Sequence, residues 1–320
     1  MEIAVIGTGQ LGSRHLQSLA ALDARHSLHA VEPSAASQNI ARERLGAAAD
    51  RVRFHASLDA LPAALDVVVV ATNAAVRRKV ITELLQRRCV RHLVLEKILF
   101  QSVADCLWAR GHLAECGLQA WVNFPRRLQA VYRNLRASLP VGDPLEIRIT
   151  GSRWGLATSG VHFLDLVLFL SRATDLAIGD FEMQTFPSSR HRDCLEATGR
   201  LAGSASPGVS FSITAWAAGD APVQITVEGT GQRWVVAERD SEAVAQHATA
   251  ATGWQWVAAT SALRYQSQLT GPIVEELGAT GSCGLATLDD ALLSHLPFLR
   301  SWNRHFAPAA DPELTRCPVT

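Results

Sequence analysis

Near the start of the chain, Gly7-Thr8-Gly9-Gln10-Leu11-Gly12 gives glycine at the spacing GxGxxG. The motif follows an apolar run at residues 3–6 and opens residues 10–22, where Leu11, His15, Leu16 and Leu19 fall near one helical face. Between a strand and a helix, the first glycine permits a tight turn and the second leaves room for a pyrophosphate. The third lets helix and strand approach, while the helix N-terminus turns amides and a favourable dipole toward phosphate. The chemistry this predicts is dinucleotide binding, with Thr8, Gln10 and Leu11 in the same turn. Glu32 stands 20 residues after Gly12, at the end of a second β-rich run at 28–31. There a carboxylate accepts hydrogen bonds from ribose hydroxyls and repels a 2′-phosphate, so NAD is expected in preference to NADP. Arg14 and His29 are the nearby cations that weaken this preference, and a solvated Glu32 is the plainer alternative. Thr72 and Asn73 follow the run at 67–70, at the edge where open α/β sheets bind ligands. They are expected to touch ribose or nicotinamide, or else to form an ordinary loop.

Positioning these residues requires a parallel sheet. Short β-rich runs at 3–6, 28–31, 52–54, 67–70 and 93–95 alternate with helix-like stretches, and the last but one reads as a strand buried on both faces. Val76, Val80, Ile81 and Leu84 mark a second covering helix. A further strand at 118–122 and a helix at 125–139 end the alternation. Strands then follow at 145–150, 181–185, 195–201, 209–216, 223–227 and 233–237, several joined by turn-like segments with Gly or Pro, which predicts a largely antiparallel sheet. Helices are expected near 162–170, 265–277 and 287–306. The fold class is therefore an α/β Rossmann domain, a doubly wound parallel sheet, over residues 1–121. An α+β domain with a largely antiparallel open sheet follows over 122–320, with C-terminal helices able to return to the first domain.

Composition narrows the function classes. Of 320 residues, 48% are hydrophobic and 19% charged, which supports packed cores rather than disorder. The 30 basic and 30 acidic side chains cancel without a basic block, so no nucleic-acid partner is expected. The most apolar helix is short and carries His162 and Asp165, so no membrane span is expected either. The opening residues read as a core strand rather than a secretory signal, giving a cytoplasmic expectation. Cys89, Cys106, Cys116, Cys194, Cys283 and Cys317 are scattered without a CxxC pair, the pattern of reduced structural thiols, and no metal site is expected. Without a GxSxG elbow or a P-loop, serine hydrolysis and phosphoryl transfer drop away.

The chain resembles the glucose-fructose oxidoreductase and inositol dehydrogenase family (Gfo/Idh/MocA) along nearly its whole length. The resemblance is carried by the glycine motif, Leu95-Glu96-Lys97, Val122-Asn123-Phe124-Pro125-Arg126-Arg127, Gly160-Val161-His162-Phe163-Leu164-Asp165-Leu166, and residues 281–290 before His295. It implies that Lys97 lies near nicotinamide and substrate, with Glu96 on the cofactor side. A partly desolvated Lys can exchange a proton near neutrality or orient a substrate oxygen; a surface Lys paired with Glu96 is the alternative. It also implies that His162 is the second catalytic group, where a hydrogen-bonded structural His is the bland reading. Two departures stand out: Thr158 occupies the position of the family's Asp four residues before that His, and Ile98 replaces the Pro after the Lys. The standard proton relay is therefore not carried over intact.

Asp165 could fix the His162 ring from the next turn, although a structural role is favoured. Arg126 and Arg127 could grip a hydroxyl-rich or phosphate-bearing substrate with two-pronged contacts, or brace the fold. Trp154, Tyr265 and Gln268 are weaker candidates for the substrate side. The expectation is an NAD-dependent oxidoreductase acting on a secondary alcohol or ketone of a carbohydrate-like substrate (sugar, nucleotide sugar or polyol), assembled as a homo-oligomer. The alternatives are a non-catalytic NAD-binding sensor or partner protein, and imine reduction or NAD-assisted glycoside cleavage on the same scaffold.

Overall fold

The computed structural model describes residues 1–152, 154–187 and 193–320. The chain forms two compact units, each built from three stretches. The first comprises Met1–Phe100, Asp105–Pro125 and Arg264–Asp289; the second comprises Gln101–Ala104, Arg126–Leu263 and Asp290–Thr320.

The first unit begins as alternating strands and helices: β1 (Glu2–Ile6), α1 (Gly12–Ala20), β2 (Ser27–Val31), α2 (Ala35–Leu45), β3 (Val52–His55), β4 (Ala64–Val70), α3 (Ala74–Arg87), β5 (Cys89–Leu95), α4 (Val103–Glu115) and β6 (Gln119–Val122). The six strands pair in parallel in the order β6-β5-β4-β1-β2-β3. Val67, Val68, Val69 and Val70 are wholly buried, as an unbroken valine run in a sheet covered on both faces must be. Because β1 lies between β2 and β4, the strand order reverses at its carboxyl end. That is where a doubly wound sheet opens a ligand crevice.

His15, Leu16 and Leu19 of α1 are buried as their spacing predicts. The expected face of α3 needs correction. Val76 is exposed, and the buried residues are Ala74, Arg77, Ile81 and Leu84. Ile81 and Leu84 lie on the buried face as expected, but Ala74 and Arg77 complete it in place of Val76 and Val80.

The second unit contains α5 (Ala130–Ser138), β7 (Leu145–Ser152), α6 (Leu156–Ser171), β8 (Asp175–Pro187), β9 (Leu195–Ser206), β10 (Val209–Trp216), β11 (Val223–Gly229), β12 (Gln232–Arg239), β13 (Glu242–Thr249) and β14 (Val257–Ala262). Its eight strands run in the order β14-β13-β12-β11-β7-β10-β9-β8, antiparallel except where β7 and β10 pair in parallel. Leu145, Ile147 and Ile149 of β7 and Val209, Phe211 and Ile213 of β10 turn to one buried face by strand alternation. Helix α6 packs against β7, β9 and β10, which explains its nearly continuous apolar sequence.

The chain closes with α7 (Gln266–Thr280), β15 (Ala286–Thr287) and α8 (Leu288–Phe306). Helix α7 packs on α1 within the first unit: a Cβ at Gly271 would lie 2.9 Å from Ser18 O, and Gly271 N donates to Ser18 Oγ at 2.8 Å. Strand β15 adds to the free side of β6, antiparallel. Among the described residues, no helix is long and apolar enough to cross a membrane, and no group of three or more His, Cys, Asp or Glu could hold a metal ion.

Candidate cofactor and catalytic sites

The glycine turn links β1 to α1. Gly7 has φ +88°, a left-handed conformation that other residues adopt only with strain. A Cβ at Gly12 would lie 1.8 Å from Gly7 O, so helix and strand meet there with no space for a side chain. At Gly9 a Cβ would meet nothing within 4 Å, which leaves that side of the turn open. Glu32 closes the turn from the end of β2: its Oε2 accepts from Thr8 N and its Oε1 from Ser34 N, each at 3.0 Å. The cation hydrogen-bonded to the turn is Arg44 of α2, a residue sequence reasoning did not nominate. Its Nη1 donates to Gln10 O at 3.0 Å and Ser13 Oγ at 2.7 Å, and its Nη2 to the Gln10 side-chain carbonyl. Of the expected cations, Arg14 bonds Gln17 Oε1 at 2.9 Å. His29 is buried between Glu2, at 2.8 Å, and His55, at 3.0 Å.

These residues fit a bound dinucleotide. Thr8 Oγ1 and Thr72 Oγ1 are buried hydroxyl oxygens without a hydrogen-bond partner among the described residues, and the open side of Gly9 lies in the same turn. Thr72 also sits within contact range of Gly7, since a Cβ on Gly7 would lie 3.0 Å from Thr72 N. Asn73 takes a local task, its Oδ1 accepting from Val76 N at 3.3 Å to cap α3.

Lys97 follows β5 at the same edge. Within residues 92–100 every residue except Lys97 is buried. The chain contains only two lysines, Lys79 and Lys97, and its remaining basic residues are arginines. Arginine stays charged at all accessible pH, whereas an amine can gain and lose a proton. A lysine kept at a ligand-binding edge of so lysine-poor a chain is a compositional signal that motif reading passed over.

Glu96 turns inward. Its Oε1 accepts from His15 Nε2 at 2.8 Å and from Asn123 Nδ2 at 2.6 Å. His15 Nδ1 lies 2.8 Å from Thr270 Oγ1, and Gln266 joins both Asn123, at 2.8 Å, and Thr270, at 2.9 Å. The network ties α1, β5, β6 and α7 together beneath the edge that carries Lys97. No motif foretold it, because its members lie up to 255 residues apart. Tyr265 and Gln268 cap the start of α7 through Gln268 Oε1, which accepts from Tyr265 N at 3.0 Å.

In the second unit, His162 is a partly exposed residue of α6, one turn after Thr158. Asp165, three residues further along the same helix, is bound by Arg127. Asp165 is 1% exposed, and both of its oxygens accept from Arg127, with Nη2 at 2.8 Å and Nε at 2.9 Å from Oδ2. Burial pushes the Asp165 carboxyl up to about 6, and the charge and hydrogen bonds of Arg127 only partly oppose the shift. Arg126 forms a second two-pronged pair, donating to Glu238 from Nε at 2.8 Å and from Nη2 at 2.7 Å, with Tyr132 OH donating to the same carboxylate at 2.5 Å. Burial alone would lower the Arg126 pKa, but Glu238 raises it. The guanidinium of Arg126 also lies 4.3 Å over the Phe163 ring, and Trp154 packs on Phe163 at 4.7 Å. Both arginines thus make two-pronged contacts to carboxylates of their own unit.

Thr158 stands beside a carboxylate that sequence reasoning missed. Glu196 of β9 accepts from Thr158 Oγ1 at 2.5 Å, Ala157 N at 2.9 Å and Thr158 N at 3.3 Å. Gly155 makes room for it, since a Cβ there would lie 1.7 Å from Glu196 Cδ. The first turn of α6 therefore carries an acidic group, supplied by a residue 38 positions away.

Residues 1–124 match the family model described as "Oxidoreductase family, NAD-binding Rossmann fold", GFO_IDH_MocA. The match makes this stretch similar to the NAD-binding Rossmann domain of that family. A search of curated protein sequences found no match. Solved structures share the Gfo/Idh/MocA two-domain fold at low identity. The dehydrogenase MviM from Clostridium difficile has a TM-score of 0.70 and 14% identity, covering 92% of this chain and 96% of that one. UDP-N-acetylglucosamine 3-dehydrogenase GnnA from Acidithiobacillus ferrooxidans has a TM-score of 0.70 and 17% identity, covering 93% and 95%. The transcriptional regulator Gal80p from Kluyveromyces lactis has a TM-score of 0.68 and 14% identity, covering 93% and 90%. At these identities the likeness is one of fold.

Proposed function

We propose that the chain is an NAD-dependent oxidoreductase that transfers hydride between nicotinamide and a secondary alcohol or ketone of a carbohydrate-like substrate, a sugar, nucleotide sugar or polyol. The observation that carries this reading is Lys97, the one residue of 92–100 that is not buried, following β5 in a domain whose glycine turn fits a dinucleotide. The bound cofactor supplies the hydride acceptor or donor. Lys97 takes the hydroxyl proton during oxidation and returns it during reduction. Glu32 supports NAD over NADP, because its carboxylate holds the end of β2 where a 2′-phosphate would have to sit. The carbohydrate class is supported by GnnA, whose name gives a nucleotide-sugar substrate for that protein.

A non-catalytic NAD sensor is the second reading, favoured by the fold likeness to a transcriptional regulator and by Thr158 in place of an acidic residue. Turnover separates the two. Purified protein is given NAD or NADP with a panel of polyols, sugars and nucleotide sugars, or NADH with the keto counterparts and with imines, and nicotinamide absorbance is followed. The proposal expects NAD-linked turnover of an alcohol that disappears in Lys97→Met while NAD binding persists. NAD binding without turnover across the panel supports the sensor, and turnover of imines alone moves the reaction to carbon–nitrogen bonds.

A further inference from the structure

Arg77 is a charged side chain in the core of the first unit, 1% exposed, and no step above uses it. Its hydrogen bonds go to main-chain carbonyls rather than carboxylates. Nη1 donates to Glu96 O at 2.6 Å, to Leu99 O at 2.7 Å and to Ile98 O, while Nη2 donates to Thr72 O. Burial draws its pKa down to about 10, against the opposing charge of Glu96. One guanidinium thus joins two loops at the carboxyl edge of the sheet, the turn after β4 and the segment after β5.

The geometry points to a specific task. The carbonyls of residues 96 and 98, one on each side of Lys97, converge on a single nitrogen, so the backbone that carries Lys97 is fixed both before and after it. The neighbours Glu96, Ile98 and Leu99 are buried, and Lys97 alone in the clamped segment is partly exposed. An apolar residue would fill the same volume but forfeit the hydrogen bonds to all four carbonyls inside the core. The rigid fork of arginine reaches several acceptors in fixed directions, which a compact ammonium does not reproduce. We propose that Arg77 is the positioning residue for Lys97: it sets the lysine's place relative to the Thr72 turn without touching substrate or cofactor. This rests on the reading of Lys97 as the proton-transfer group.

The test uses Arg77→Lys, which keeps the charge, and Arg77→Gln, which keeps two donors without charge. Three readouts are taken on the full chain: kcat and KM, NAD affinity, and the rate of trinitrophenylation at Lys97. The labelling needs no turnover, and Lys79 in the same chain serves as internal reference. Displacing a reacting group by an ångström costs about 100-fold in rate, so kcat is expected to fall by about that factor in both variants. KM and NAD affinity should change far less, and the ratio of Lys97 to Lys79 labelling should shift. Unchanged kcat and unchanged labelling in a folded variant overturn the proposal. So does a parallel loss of kcat, NAD affinity and thermal stability, which assigns Arg77 to general core support. Altered Lys97 labelling in a protein that turns over no substrate leaves the clamp standing and removes the dehydrogenase reading instead.

Discussion

At the edge of the first sheet, candidate groups are held through main-chain atoms. Gly7 and Gly12 let backbones meet, Glu32 grips two amides, and Arg77 gathers four carbonyls around Thr72 and Lys97. In the second unit, two arginines are held by carboxylates instead: Arg126 by Glu238 and Arg127 by Asp165. A turn shaped by its own backbone fixes the place of side chains such as Lys97 without spending charged partners on that task. A unit braced by buried ion pairs commits its charges to stability, because a buried charge without its partner is costly. The difference predicts that substitutions in the first unit change turnover and cofactor preference, whereas those in the second change folding.

The largest expected effect is on turnover. Lys97→Met should lower kcat by about a thousandfold, within the usual contribution of a positioned acid or base, with little change in the urea midpoint. In the second unit the expected effect is on stability. Asp165→Ala leaves the largely buried Arg127 with only the longer 3.8 Å contact to Asp290 as counter-charge and should cost about 3 kcal/mol in urea unfolding. The same carboxylate gives a pH signature. Because its folded pKa is raised to about 6, the folded state holds its proton more tightly than the unfolded state. Its contribution to stability is greatest below pH 4 and declines as pH rises through 6, so wild type should lose stability relative to Asp165→Asn across that window. A smaller effect is expected at Glu32. Glu32→Ala should narrow the preference for NAD over NADP by about 1.5 kcal/mol, roughly tenfold, measured as a ratio of kcat/KM values. The smallest is at Glu196, where Glu196→Gln keeps the shape but removes the charge at the start of α6 and should cost about 1 kcal/mol. A Glu196→Gln variant that folds normally yet loses turnover breaks the contrast between the units and moves that carboxylate into the chemistry.

The same contrast explains what could be read from the sequence. The glycine turn and strands β1 to β6 are encoded locally, by spacing and valine-rich runs, and the structure places them within a few residues of expectation. Helix α2 escaped notice because only Ala41 and Leu45 are buried, too few to make a pattern. Strands β13 and β14 are rich in alanine and short of β-branched or aromatic residues, so propensity gave no cue. The buried face of α3 is only half legible, through Ile81 and Leu84, because a charged Arg77 belongs to it. Lys97 and His162 were nominated by resemblance. Glu196, Glu238 and the His15–Glu96–Asn123 network join residues far apart in the chain, and no local pattern announces such pairs.

Hydride transfer itself is the most direct test. Secondary alcohols of the sugar, polyol and nucleotide-sugar classes are supplied deuterated at the carbinol carbon, and the reduced nicotinamide is analysed by mass spectrometry. Wild-type protein is expected to place deuterium on the nicotinamide, and Lys97→Met to do so about a thousandfold more slowly. Absence of label from every alcohol in the presence of protein that binds NAD would contradict the dehydrogenase reading.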